Sequence, residues 1–172
     1  MARMIRTQRN TVFGFGEGEA ERVFLKHLRS LYAGNKTSVR VDDAGGKDPS
    51  YILEKAVRVR GDICYNYSFV LVDTDRTWPQ SLRSKAKKKG IELIESSPCL
   101  EGLLLSILEP TIDRLNWPSS NCKRHFQSAY LHTDRIITDN DCKRLFPITI
   151  LDQAKANIQP LGRVIEIMEG NF

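Results

Sequence analysis

The run from Tyr67 to Val72 most constrains the fold, because it is strand-forming and apolar nearly throughout. A strand with one face in water alternates apolar and polar residues, whereas this run reads as a strand buried on both faces. Burial on both faces requires a parallel sheet that is covered by helices on each side. The run ends abruptly at Asp73-Thr74-Asp75, so two carboxylates follow the strand.

Strand and helix signals alternate along the first two thirds of the chain. Further strands are predicted at 11–15, 37–41 and 91–94. Each strand precedes a segment of helical periodicity, and these helices are predicted to begin near Glu19, Pro49, Pro79 and Leu103. The alternation predicts an α/β fold, with a mostly parallel sheet of about four strands and right-handed crossovers.

Beyond Pro110 strand signals are weak, and helical segments are predicted at 121–130, 139–145, 149–157 and 160–168. A length of 172 residues is typical of one domain. We therefore expect a single domain of residues 1–172, in which a helical extension of residues 110–172 packs on a core of residues 10–109.

Composition limits the cellular setting. The net charge of +5 is compatible with a polyanionic partner without requiring one. The four cysteines form no CxxC pair or zinc spacing, which is typical of free thiols in a reducing compartment. The first residues, Met1–Arg6, lack an apolar signal-peptide stretch, and no later run could span a membrane. The sequence predicts a cytoplasmic protein with no membrane partner.

Carboxylates follow three of the predicted strands: Glu17 after the first, Asp73 and Asp75 after the third, and Glu101 after the fourth. Ligands of open parallel sheets bind at the carboxyl ends of the strands, so these side chains are expected to converge. Carboxylate oxygens are the donors that hard cations such as Mg²⁺ or Mn²⁺ prefer. Glu21, four residues after Glu17, could support a second metal. Taken singly, each acidic residue is also typical of a turn or helix cap; for Glu19 we prefer the cap.

Two basic motifs are ambiguous. Gly45-Gly46-Lys47 ahead of a helix could meet a phosphate, although a flexible turn with a solvated lysine explains it as well. Lys85-Ala86-Lys87-Lys88-Lys89 could steer a nucleic-acid backbone, or could simply be the solvent face of a helix.

Three segments carry a resemblance to a known family. Phe15-Gly16-Glu17-Gly18 and Val70-Leu71-Val72-Asp73-Thr74-Asp75 are similar to the two motifs of Toprim domains. Together with Ser96-Ser97-Pro98-Cys99-Leu100-Glu101, they make the chain resemble the RloB-like Toprim family, which is found beside bacterial restriction and anti-phage systems. The overcoming-lysogenization-defect nucleases are related proteins.

The resemblance implies a Toprim-like (Rossmann-like) fold and a metal-dependent nuclease. It implies catalytic roles for Glu17, Asp73 and Asp75, with Mg²⁺ or Mn²⁺ held by these three residues together with Glu21 and Glu101. It also implies DNA or RNA as the substrate and a possible protein partner from a defence system.

Three alternatives stay open. The first is a non-catalytic Toprim-like module that binds nucleic acid or a defence partner. It is favoured by the absence of the family's His from 102–107 and by the modest size of the chain, and the chain also departs from the family in Ala20, where the family has Thr or Ser, and in lacking the family's Trp. The second is a phosphotransfer enzyme that acts on small phosphoesters. The third is an unrelated α/β protein whose acidic turns are ordinary caps.

Overall fold

The computed structural model of the chain describes residues 9–114 and 116–172. The described residues do not include Met1–Arg6, from which the absence of a signal-peptide stretch is predicted. They also do not include the first residues of the predicted 1–172 domain. The first part contains β1 (Asn10–Gly16), α1 (Glu19–Tyr32), β2 (Thr37–Asp43), α2 (Pro49–Arg60), β3 (Tyr67–Asp73), α3 (Gln80–Lys88), β4 (Glu92–Ser96) and α4 (Leu100–Leu108). The remainder contains α5 (Ser119–Phe126), a π-helical turn (Gln127–Leu131), α6 (Asp139–Leu145), α7 (Ile148–Ala154) and α8 (Gln159–Glu169).

All four strands lie in one parallel sheet, in the order β2-β1-β3-β4. The predicted α/β class and four-stranded parallel sheet are therefore confirmed. The chain moves from β1 outward to β2, then crosses back over β1 to reach β3. The direction of winding reverses between β1 and β3, and this reversal opens a crevice at the carboxyl ends of these two strands.

Side chains that alternate along the strands build a core on each face of the sheet. Phe13 and Phe15 of β1, with Val70 and Val72 of β3, face a core closed by α2 and α3. Their neighbours in sequence face a larger core built with α1, α4 and the later helices. The near-continuous apolar character of β3 is explained by these two buried faces.

The helices after Pro110 pack on the larger core. Helix α5 contacts α4, α6 contacts α1, and α8 contacts β4, β2 and α1. Arg163 of α8 donates to Glu92 of β4 at 3.0 Å and to the hydroxyl of Tyr67 of β3 at 2.6 Å. Those bonds hold the last helix against the amino ends of two strands.

Element boundaries differ from the sequence predictions near the acidic motifs. Helix α4 begins at Leu100 and not at Leu103, so Glu101 lies in its first turn and not in a loop. Strand β4 runs from Glu92 to Ser96, two residues beyond the predicted segment. Within the described residues, no helix is long and apolar enough to cross a membrane.

Candidate functional site

Glu17 lies in the crevice between β1 and β3. It directly follows β1, and its backbone N–H donates to the Leu71 carbonyl of β3 at 3.2 Å. Its carboxylate accepts from the backbone N–H of Asp73 at 3.3 Å and lies 3.3 Å from Nε of Arg76. Only 6% of the residue is exposed. The structure thus places the predicted glutamate against the predicted Asp-x-Asp motif.

Glu21 is buried beneath Glu17 in the first turn of α1. One carboxylate oxygen accepts from the backbone N–H of Gly18 at 2.7 Å, so Glu21 completes a capping box at the helix start. A Cβ at Gly16 would lie 2.7 Å from Cβ of Glu21, so only glycine permits this close approach. Glu21 therefore has a structural role in addition to its predicted place near the metal. Glu19, which we interpreted as a cap residue, is exposed and pairs with Arg22 at 3.2 Å.

Asp73 is the last residue of β3 and is 7% exposed. One carboxylate oxygen accepts from the hydroxyl of Ser96 at 2.9 Å, at the end of the neighbouring strand β4. Ser96 belongs to a motif that the sequence singled out, but no role was predicted for it. The residue orients the buried carboxylate.

Asp75 follows Asp73 but is exposed. Its backbone N–H donates to the Pro98 carbonyl at 2.9 Å, and Thr74 donates to the Ser96 carbonyl at 3.0 Å. These bonds extend the β3–β4 pairing into the Ser96–Cys99 segment. Strand β3 ends at Asp73, so the two aspartates differ in depth: Asp73 is buried and Asp75 is exposed.

Helix α4 carries Glu101 to the same edge. Cys99 is its buried N-cap residue, and Gly102 packs directly on the preceding segment. A Cβ at Gly102 would lie 2.7 Å from the Pro98 ring and 2.8 Å from the Ser97 carbonyl oxygen. Close packing at Gly102 fixes the first turn of α4, and with it the position of Glu101.

Burial and mutual repulsion perturb the carboxylates. Burial raises the pKa of Asp73 to about 8, and the charges of Glu21, Glu17 and Asp75 act in the same direction. Burial raises the pKa of Glu21 to about 7, with added repulsion from Glu101 and Glu17. Burial also raises the pKa of Glu17, although the Asp73 N–H and Arg76 oppose the shift. These interactions link all five predicted site residues in one acidic cluster.

Two cations at this cluster were missed by sequence reasoning. Arg76 pairs with Glu17 and also donates to the Lys47 carbonyl, so it joins the loop after β3 to the loop after β2. Lys123 comes from α5, in the C-terminal helices. Burial opposes ionisation of Lys123, but the charges of Glu101, Cys99, Asp73 and Asp75 raise its pKa. Arg76 is adjacent to the Asp-x-Asp motif and could have been suspected, whereas no local signal marks Lys123.

The Gly45-Gly46-Lys47 turn also lies at this edge. Gly46 donates to the Glu17 carbonyl at 3.0 Å, and both glycines have a positive φ, which a side chain would strain. Asp48 then caps α2 by accepting from the N–H groups of Ser50 and Tyr51. The turn braces the Glu17 backbone.

Oxygen donors of this kind suit Mg²⁺ or Mn²⁺. Within residues 9–114 and 116–172, however, no three His, Cys, Asp or Glu side chains are grouped closely enough to hold a metal ion. The carboxylate of Glu17 already pairs with Arg76 and accepts from the Asp73 N–H, and the carboxylate of Glu21 already accepts from the Gly18 N–H in the helix cap. The chemistry of the donors fits a divalent cation, and binding would require these contacts to rearrange.

Comparison of the chain with protein-family models, with curated proteins and with solved structures found no match.

Proposed function

We propose that the protein hydrolyses phosphodiester bonds of nucleic acid with Mg²⁺ or Mn²⁺, as a Toprim-like nuclease. One observation carries this proposal: five carboxylates meet two cations at the crevice where the direction of sheet winding reverses. Burial, with the added repulsion of the neighbouring carboxylates, raises the pKa of Asp73 to about 8 and that of Glu21 to about 7. A divalent cation would relieve that repulsion.

In this proposal Asp73 and Asp75 hold the metal, Glu21 and Glu101 complete the cluster, and Glu17 serves either as a further ligand or as the general base. A bound divalent cation supplies charge neutralisation at the phosphate and lowers the pKa of a water molecule. Glu17, whose own pKa is raised, is suited to accept a proton from the attacking water. Arg76 and Lys123 provide positive charge beside the carboxylates, where a phosphate would lie.

The exposure of the cluster favours a polymer over a small phosphoester. Asp75 and Arg76 are exposed at the sheet edge, so a passing strand could reach them without entering an enclosed cavity. A cavity of about 550 Å³ lies elsewhere, between α4, α7 and the start of α8, and is lined by both apolar side chains such as Ile107 and polar ones such as Gln153. We assign no chemistry to that cavity.

Metal binding is the first test. Calorimetry with Mn²⁺ and Mg²⁺ should give binding to the wild type and none to the Asp73→Asn/Asp75→Asn protein. An Asp62→Asn/Asp139→Asn protein is the matched control, because it loses two exposed carboxylates outside the cluster. Equal binding by all three proteins would place the metal elsewhere and refute the proposed site.

Cleavage is the second test. Wild type should cut DNA or RNA in the presence of Mn²⁺ and not with EDTA, and the Asp73→Asn/Asp75→Asn protein should not cut.

A second candidate, a non-catalytic nucleic-acid-binding module, is favoured by the Arg76–Glu17 pair, which already neutralises one carboxylate. Nucleic-acid binding without metal-dependent cleavage, in a protein that binds Mn²⁺, would favour the module over the nuclease.

A further inference from the structure

A second charged surface lies at the amino ends of the strands, opposite the carboxyl ends where the acidic residues lie. The two ends are called the basic edge and the acidic edge. Helices α2 and α3 run back from the acidic edge, and both end in basic residues. The α2–α3 basic surface consists of Arg58, Arg60, Lys85, Lys87, Lys88 and Lys89. Two contacts join the helices there: Lys85 pairs with Glu54 at 3.3 Å, and Arg60 donates to the Lys89 carbonyl at 2.8 Å.

Within the described part of the chain, Arg58, Lys87, Lys88 and Lys89 make no ion pair, and all four are exposed. Ala86 is buried against the core, so the lysines occupy the remaining sides of the last turn of α3. The acidic residues beside the surface in sequence are Glu54, already paired, and Asp62. Positive charge therefore remains in excess.

The helix dipole alone is a poor account of this concentration. A cation near a helix C-terminus contributes about 0.3–1 kcal/mol, and one or two in the last turn are enough for that role. Here Lys85 lies three residues before Lys88 and four before Lys89, spacings at which like charges on a helix repel, and this repulsion reduces any benefit to the folded state. A polyanion would remove this repulsion.

We propose that the α2–α3 basic surface binds the backbone of a nucleic-acid duplex and holds it across the molecule. This inference rests on the proposed function, since it names how a long substrate is retained. Lys85 to Lys89 span roughly 6 Å along the helix axis. Over that length a duplex presents about three or four phosphates and a single strand about two, so the density of cations matches a duplex.

The distance between the two surfaces sets a length requirement. Strand β3 extends from the basic edge at Tyr67 to the acidic edge at Asp73, about 20 Å. Lys87 lines the same surface pocket as Tyr67 and Ser68 at the start of this strand, which places the basic surface at that edge. About six base pairs span the same distance. A duplex shorter than about six base pairs should therefore reach either the basic surface or the acidic cluster, and not both.

Duplex binding in EDTA tests the surface without any catalysis. A labelled duplex of about 20 base pairs is titrated with wild type, with Lys87→Gln/Lys88→Gln/Lys89→Gln, and with Lys26→Gln/Arg29→Gln/Lys143→Gln. Both variants lose three positive charges, and the second loses them on the other face of the sheet. The first variant should bind at least about tenfold more weakly at about 50 mM salt, and its salt slope should fall by about two to three. The second should match wild type within about threefold.

Three results would overturn the inference: no duplex binding by wild type, equal losses in both variants, or equal affinity of wild type for a single strand of the same length. Cleavage assays separate this inference from the proposed function. If wild type cuts DNA and the lysine variant both binds and cuts as well as wild type, the surface is refuted and the nuclease stands. If the lysine variant alone loses binding but wild type cuts nothing, the surface stands and the nuclease is refuted.

Discussion

Replacing Asp73 with asparagine should stabilise the metal-free protein at alkaline pH, although the residue is buried and hydrogen-bonded. Asparagine has nearly the same shape, and its carbonyl oxygen can still accept from the Ser96 hydroxyl. What it lacks is the charge that burial and the neighbouring carboxylates disfavour. The substitution therefore removes an electrostatic cost and keeps the packing.

The size of the effect follows from the pKa of Asp73. Its folded-state pKa is raised from 3.8 to about 8. A group of this kind contributes stability that is fully present below its unfolded pKa and is lost as pH rises through its folded pKa. A shift of about four units corresponds to ~5 kcal/mol, and roughly 3 kcal/mol of the loss falls between about pH 5 and pH 8.

Urea unfolding in EDTA at these two pH values measures the difference. At about pH 8 the Asp73→Asn protein should exceed wild type by ~3–5 kcal/mol, and at about pH 5 by clearly less. Asp75→Asn is the matched control, because it removes an exposed carboxylate two residues away; its unfolding free energy should lie within ~1 kcal/mol of wild type. This expectation is refuted if Asp73→Asn has a lower unfolding free energy than wild type at the higher pH, or if the difference between the two proteins does not grow with pH. In either case the charge of Asp73 does not destabilise the folded protein.

Three further substitutions test the surroundings of the cluster. Glu21→Gln keeps an oxygen for the helix cap but removes a buried charge. Its melting temperature in EDTA should therefore fall less steeply between about pH 6 and pH 8 than that of wild type. An unchanged slope would contradict the charge repulsion between Glu21 and its neighbouring carboxylates. Gly102→Ala would place a Cβ 2.7 Å from the Pro98 ring and should lower the unfolding free energy by ~1–3 kcal/mol, whereas Gly34→Ala, with open space around it, is the control. Lys123→Gln should lower the melting temperature in EDTA more than in Mn²⁺, because a bound metal would replace its charge; equal losses would place Lys123 outside the cluster.

The sequence by itself determined the order of the elements and the position of acidic residues at strand ends. These are local properties, because β-branched runs, helical periodicity and caps such as Asp48 act within a few residues. The nearly continuous apolar run of β3 also required a covered parallel sheet. Boundaries were less secure: α4 begins at Leu100, three residues before its predicted start, and its N-cap residue Cys99 makes no side-chain capping hydrogen bond that the sequence could have signalled.

Only the tertiary structure decided how the carboxylates meet. The order β2-β1-β3-β4 puts Glu17 beside Asp73, and it also leaves Asp73 buried while Asp75 remains exposed. Lys123 reaches the cluster through the packing of α5 on α4, which no local pattern encodes. Charge repulsion and desolvation depend on distances through space and on burial, so the raised pKa values and the shared site could emerge only once the chain had folded.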